Sequence, residues 1–198
     1  MYKILDRESS PPYLKFYDLH DRALSVNQSA MDAIVISSYD DDQKMADSRY
    51  VNLKYINKNE WIFFSNYNSK KAKQFLSNNK VSVLIYWPDI SIQIRIKALI
   101  SKTCTKISDQ HFLSRKKEKN ALAISSHQSK KAISYQAIIS SYKATLKNYQ
   151  HTNRPSYWGG YSFKPYYFEF WEGNPSRVNH REEYCYNKKS WQICILQP

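Results

Sequence analysis

Two adjacent stretches in mid-chain constrain the fold more than anything else in the sequence. Val81–Trp87 is almost continuously apolar, and Ile92, Ile94, Ile96 and Ala98 then alternate with Gln93, Arg95 and Lys97. A period of two sends one set of side chains to a buried face and the other to water, which is the signature of a half-buried β-strand. Such a strand needs a sheet with a covered face, so the chain must build a β core. Other segments fit the same sheet. Ala33–Ser37 reads as an apolar strand, Tyr50–Ile56 and Trp61–Ser65 as a hairpin around Asn57-Lys58-Asn59, and Trp191–Leu196 as a last strand. After Pro155 the chain turns aromatic, with Tyr157, Trp158, Tyr161, Phe163 and then Tyr166 to Trp171. Helices are expected over Leu14–Leu24, from Ser69 through Leu76, from Ser108 onward, and in a longer segment capped by Ser129 that carries Ile138, Tyr142, Leu146 and Tyr149. Residues 1–12 read as a loose arm and residues 39–48, with Asp40-Asp41-Asp42, as an exposed turn. Strands, then helices, then strands, without regular βα alternation, predict a mainly β α+β fold: a β-barrel decorated with helices.

Several chemistries are excluded early. The chain holds three glycines, Gly159, Gly160 and Gly173, too few and too late for a dinucleotide fingerprint or a P-loop. Cys104, Cys185 and Cys194 are odd in number and lack CxxC spacing, and His127, His151 and His180 show no metal-ligand spacing. No metal is expected, and a reducing cytoplasm is the expected location. No apolar stretch approaches the roughly 18 residues of a membrane span, and the first residues show no secretory signal. The net charge of +13 is unevenly placed: residues 61–168 hold 18 basic and 3 acidic groups, while residues 1–60 are slightly acidic and 169–198 neutral. A field of this kind attracts phosphorylated small molecules, polyanions or anionic surfaces, and charge alone does not choose among them.

Four constellations could carry chemistry. Arg49-Tyr-Val-Asn-Leu-Lys54 places two cations five residues apart, so on a regular strand they face opposite ways and need a bulge to serve one ligand. Phe64-Ser-Asn-Tyr-Asn-Ser-Lys-Lys runs from a strand into a helix start, where Ser69, Lys70, Lys71 and free backbone N–H groups form an anion trap. His111 and Arg115 stand at i and i+4, with Lys119 one turn further if the helix persists, a face suited to a phosphate monoester. Trp171-Glu-Gly-Asn-Pro-Ser-Arg177-Val-Asn179-His-Arg181 is a strand, turn and return segment rich in donors. Solvated cations on ordinary strands and helices would account for the first three equally well, and a core tryptophan for the last.

Taken together, Arg49–Lys54, Phe63–Ala72, Ser114-Arg115, His127-Gln-Ser129, Ser156-Tyr-Trp-Gly-Gly160 and Glu169-Phe-Trp-Glu-Gly173 resemble the pyridoxamine 5′-phosphate oxidase family in order and spacing, from about Ala30 to Pro198. The resemblance implies an FMN-binding split β-barrel that is homodimeric. It divides the chain into an arm (1–29), a flavin-binding barrel (30–150) and a C-terminal dimerisation segment of the same domain (151–198). It places FMN contacts at Arg49, Tyr50, Val51, Asn52, Leu53, Lys54, Phe64, Ser65, Lys70, Lys71 and Gln93. Gln128 and Ser129 would come from the partner subunit or a neighbouring element, with Trp171 and Arg181 completing the pocket. The substrate phosphate would meet Lys54, His111, Arg115 and Lys119, and Arg177 and Asn179 would cover the reacting face as the catalytic pair.

The implied reaction is oxidation of a phosphorylated B6 vitamer, pyridoxamine or pyridoxine 5′-phosphate, to pyridoxal 5′-phosphate, with O₂ as acceptor and H₂O₂ as product. The chain departs from the family pattern at four places. His111 and Lys119 stand where Tyr and Ser are usual, Asn179 replaces the His of an Arg-x-His segment, Leu122 stands where glycine is usual, and the arm is short. These changes leave room for an FMN oxidase with another substrate, as in phenazine biosynthesis. A basic nucleic-acid-binding module is the alternative from another class, but the aromatics fall at strand positions expected to be buried and no recognised nucleic-acid motif appears.

Overall fold

In the computed structural model, which describes residues 1–150 and 153–198, the alternating segment is strand β6 (Ile92–Lys102), paired antiparallel with β5 (Lys80–Trp87). Ile92, Ile94, Ile96, Ala98 and Ile100 are all buried, as their spacing requires. His151 lies outside the described residues. The sheet also contains β1 (Lys3–Asp6), β2 (Ala33–Asp40), β3 (Met45–Asn57), β4 (Glu60–Asn66), β7 (Trp158–Glu172), β8 (His180–Asn187) and β9 (Ser190–Ile195). Its order is β1-β3-β2-β5-β6-β7-β8-β9, and β4 pairs with both β3 and β7. That double pairing closes β2 to β7 into a ring. β7 is shared: Trp158–Phe163 pairs with β4, and Tyr167–Glu172 pairs with β8, so β8 and β9 run on from the ring as an extension.

Aromatic side chains fill the interior. Trp61, Trp87, Phe63, Phe163 and Phe168 are fully buried, at the strand positions expected to be buried. Phe16 joins them from helix α1 (Pro11–Ser25), its ring 4.5 Å from Trp61 and 5.8 Å from Trp87 between centroids. The segment expected as a loose arm, residues 1–12, is also ordered against the barrel, with Tyr2 and Pro12 buried. β1 pairs in parallel with β3, and Pro11-Pro12 start α1, where a missing N–H costs nothing. Tyr13, Phe16, Tyr17, His20 and Ala23 then form its buried face. The expected turn at residues 39–48 is also shorter, because Asp40–Met45 to Ala33–Asn52 is a continuous antiparallel ladder.

The remaining helices are α2 (Lys70–Ser77), α3 (Thr105–Ser114), α4 (Lys117–Ser125) and α5 (Tyr135–Lys147). Two expectations change here. The helix from Ser108 breaks at Arg115, whose backbone is extended; the buried Asn120 side chain donates to the Phe112 carbonyl at 2.9 Å, satisfying an end of α3 that a continued helix would have satisfied itself. Ser129 does not cap the last helix: Ser134 does, its Oγ accepting from the Ala137 N–H at 3.1 Å.

Gly160 stands opposite Phe64 in the β4–β7 ladder, and a Cβ there would lie 2.2 Å from Thr103 Cγ2 and 3.1 Å from Phe64 Cε1. Gly160→Ala should lower unfolding free energy by about 1–3 kcal/mol, the usual cost of overpacking, measured by urea denaturation. A loss below about 0.5 kcal/mol, within the range of an ordinary surface substitution, would show that the barrel relaxes around the closure.

Candidate functional site

The hairpin from β3 to β4 is irregular at one residue. Leu53 pairs with Phe63 and Tyr55 with Ile62, so Lys54 is the extra residue of a bulge. Leu53 and Ile56 stay buried in the core, while Lys54 and Tyr55 both reach the rim of a cavity of about 530 Å³ or its wall. The cavity lies against β3 from Tyr50 to Lys54, against Phe64 and Ser65 of β4, the start of α2, the α3–α4 junction and Gln128. Its volume is within the ordinary range for a small-molecule site.

The bulge does not bring Arg49 into the same space. Arg49 turns to Asp47 (2.8 Å), Ser38 Oγ (2.6 Å) and Gln74 Oε1 (2.9 Å), in a network whose Gln74 amide also donates to Asp40 and Asp47. Those donors hold the Asp47 carboxyl below its ordinary value, the Gln74 hydrogen bond first. The two lysines at the start of α2 also diverge. Lys70 bridges Asp40 and Asp47, each at 3.3 Å, whereas Lys71 lies 3.3 Å from Ser65 Oγ and 3.4 Å from Gln128 Oε1 with no carboxylate partner. Burial, then the Arg49 charge, push the Lys71 amine down. No side chain caps α2, because Ser69 Oγ donates to the Asn66 carbonyl at 2.7 Å, so the positive helix end stays open.

At the other end of the cavity stand His111, Arg115 and Lys119. The helix break moves Lys119 onto α4, yet all three line the space together with Lys54. Lys54 is paired with Asp32 at 2.9 Å. Arg115 lies flat over Trp158, Cζ 4.4 Å from the ring centroid, and donates through Nη2 to the Lys119 carbonyl at 2.9 Å. Its Nη1 is buried without a hydrogen-bond partner among the described residues. No Asp or Glu lines the cavity. Arg115 and Lys119 beside it have no carboxylate partner among the described residues, which suits the space to an anion, and Lys71, Ser65 and Gln128 make a second polar cluster that suits a phosphate. The donor set fits FMN.

The other expected residues are placed elsewhere. Gln93 pairs with Trp171, and Trp171 with Arg181, in one row across β6, β7 and β8. Arg181 grips the buried Glu169 through Nε (3.2 Å) and Nη2 (2.9 Å) and donates to the Gln197 carbonyl at 2.8 Å. Trp158 and Trp171 are separated by roughly 40 Å of extended chain along β7. Arg177 sits in the turn before β8 with a left-handed φ of 67°, and Asn179 Oδ1 accepts from the Asn174 N–H at 3.1 Å. Ser129, also left-handed at 70°, follows Gln128 in the loop after α4. One protomer thus presents two groups at opposite ends of β7. Sequence reasoning missed Tyr55, Trp158 and Asp32; only Trp158 had a usable signal, the two glycines that follow it in a strand packed against Phe64.

Two family models match this chain. The pyridoxamine 5′-phosphate oxidase model covers residues 29–146, and the pyridoxine 5′-phosphate oxidase C-terminal dimerisation region covers 158–198. A pyridoxine/pyridoxamine 5′-phosphate oxidase from Hydrogenovibrio crunogenus is 34% identical over 191 residues, spanning 94% of this chain and 88% of that protein. Another from Cupriavidus metallidurans is 31% identical over 190 residues, spanning 94% and 89%. Among solved structures, PhzG from Burkholderia lata 383, in complex with tetrahydrophenazine-1-carboxylic acid, superposes with a TM-score of 0.90 over 96% of this chain and 93% of that one. Its identity of 23% makes that a likeness of fold.

Burial, followed by the charges of Arg115, Lys54 and Lys119, pushes the His111 imidazole down to about 4. The folded state therefore binds fewer protons than the unfolded one between about pH 4 and an unfolded value near 6.5, and stability should fall as pH drops through that window. His111→Phe should flatten this part of the stability–pH profile, read by urea unfolding at a series of pH values. An unchanged profile would mean that His111 protonates freely in the fold.

Proposed function

Because the chain belongs to the pyridoxamine 5′-phosphate oxidase family, we propose that it is an FMN-dependent oxidase that converts pyridoxamine or pyridoxine 5′-phosphate to pyridoxal 5′-phosphate, with O₂ as acceptor. The observation that carries this reading is a cavity lined by Lys54, Lys71, Arg115 and Lys119, with no carboxylate among its described lining residues. Two anionic groups are accommodated by it. Lys71, Ser65 and Gln128 hold the flavin phosphate, the β3 edge from Tyr50 to Lys54 flanks the ring system, and Arg115, Lys54, Lys119 and His111 hold the phosphate of the vitamer. FMN, when bound, would supply the redox chemistry as a two-electron carrier between C4′ and O₂, which with two protons becomes H₂O₂; the alcohol substrate gives the aldehyde directly, and the amine gives an imine that water hydrolyses to the aldehyde and ammonia. The side chains bind, orient and exclude water; no carboxylate is present to act as a base, and positioning alone can contribute several kcal/mol.

The second group of residues supports a homodimer. In a two-fold pair, Gln93, Trp171 and Arg181 of one subunit close the flavin site of the other, with Arg177 and Asn179 over the reacting face. Glu169 fixes Arg181 for this role through its two hydrogen bonds. The C-terminal strands β8 and β9 lie in the region matched by the dimerisation model.

Purified protein should carry a flavin spectrum and oxidise pyridoxamine 5′-phosphate. Arg115→Ala should raise the KM for that substrate by at least about tenfold, equivalent to 1.4 kcal/mol, with FMN affinity nearly unchanged. Flavin binding without turnover of either vitamer would replace this reading by an FMN oxidase of another substrate, to which the His111 and Lys119 departures then belong. The two α2 lysines should also separate. Lys71→Ala should weaken FMN about tenfold or more while sparing riboflavin, as one charge-assisted bond is worth roughly 1.5–3 kcal/mol. Lys70→Ala should do less, because Asp40 and Asp47 already neutralise that cation. Equal effects on FMN and riboflavin would place the flavin phosphate elsewhere.

A further inference from the structure

His111 is held on three sides. Its Nδ1 lies 2.8 Å from the Tyr55 hydroxyl, with the two rings near perpendicular at 89°. Its face stacks on Phe64 at 3.8 Å between centroids and 10° between planes, and Trp158 runs parallel at 6.2 Å and 7°. Partial rotation about the Cβ–Cγ bond would break the stack on Phe64, and a half-turn would keep the stack but lose the hydrogen bond. The other nitrogen, Nε2, makes no hydrogen bond with a described residue, and the ring lines the cavity beside Arg115.

The proton has one favourable place. The groups that face this ring are Lys54 and Tyr55 from β3, Phe64 from β4, Arg115 and Lys119 from the α3–α4 junction, and Trp158 from β7: three cations, one phenol and no carboxylate. The imidazole is therefore neutral near pH 7, with a single N–H. A phenol is a better donor than acceptor, an unprotonated imidazole nitrogen is a strong acceptor, and the Tyr55 hydroxyl donates to no other described group. The hydrogen bond accordingly runs from Tyr55 to Nδ1, and the ring proton falls on Nε2.

We propose that Tyr55 is a positioning residue that holds His111 as its Nε2–H tautomer, so that a neutral imidazole donates a directed hydrogen bond to the phosphate of the substrate. This rests on the reading that a phosphorylated vitamer occupies the Arg115 end of the cavity. The division of labour is physical. Arg115 and Lys119 supply charge, Lys54 being already paired with Asp32, and a further cation beside them would repel both; a neutral donor adds direction without that cost.

The test uses full-length, FMN-loaded protein labelled with ¹⁵N-histidine, with His111 assigned by its loss in His111→Phe. In the wild type, Nε2 should be protonated and Nδ1 not, and the Nε2 resonance should move when inorganic phosphate is added. Tyr55→Phe should give a mixture of tautomers and raise the KM for pyridoxamine 5′-phosphate about three- to tenfold, a larger factor than any fall in kcat. His111→Gln, whose amide nitrogen can reach the place of Nε2, should keep more phosphate affinity than His111→Phe. A proton on Nδ1, an imidazolium, or resonances that ignore phosphate would each overturn the proposal, as would a Tyr55→Phe protein with the wild-type tautomer. The wild-type spectra decide the matter even if that variant does not fold. Absence of turnover with both vitamers would overturn the proposed substrate and leave the phosphate titration to judge His111 separately.

Discussion

The two-sided pairing of β4 is the interaction on which the rest depends. Glu60–Phe63 pair with β3 on one edge and Trp61–Asn66 with β7 on the other, and without this strand the ring would be an open sheet with two unpaired edges. The same strand carries Phe64 and Ser65 outward to the cavity while Trp61, Ile62 and Phe63 anchor the core. Closure and site are therefore one construction. The Phe64 ring can stack between its neighbours because the residue across from it, Gly160, has no side chain, and the backbone N–H of that glycine is further tied to Ser108 Oγ at 3.0 Å. In this way α3, and with it His111 and Arg115, is fastened to the seam of the barrel.

Much of this was legible from local pattern. Period-two alternation at Ile92–Ala98 and the Asn57-Lys58-Asn59 turn involve neighbours in sequence, so the residues themselves state the geometry. The arm at residues 1–12 was misread for the opposite reason. Its order comes from the pairing of β1 with Tyr55–Asn57 of β3 and from the burial of Tyr2, both set far away in the chain, while Ser9-Ser10-Pro11-Pro12 taken locally looks like a linker. The break at Arg115 escaped notice because Ser114-Arg115-Lys116-Lys117 contains neither Gly nor Pro; what ends the helix is the Asn120 side chain, which acts from the next element.

The candidate site divides along the same line. Lys54, Lys71, Arg115 and Lys119, which the resemblance implies as ligands, all line one cavity, but the resemblance could not give their partners. Asp40 and Asp47 claim Lys70, and Asp47 with Ser38 and Gln74 claims Arg49, so residues expected to act as one cluster are electrostatically unlike. Charge at a position is written in the sequence; whether that charge is already answered is decided by which strands meet. Tyr55 shows the limit most plainly, because nothing in its local sequence indicates that its hydroxyl ends at His111, 56 residues on.

A cavity lined with cations and no acid also makes folding a matter of supply. In the ligand-free chain Lys71 and Arg115 are partly buried without a carboxylate partner among the described residues, and that desolvation raises the energy of the native state relative to an unfolded chain in water. An anion that binds only the folded form offsets that cost and adds stability as the logarithm of its concentration over its dissociation constant, about 2.7 kcal/mol at a hundredfold excess. The unfolded fraction of the chain, and with it exposure to proteolysis, would then fall as the concentration of flavin phosphate rises.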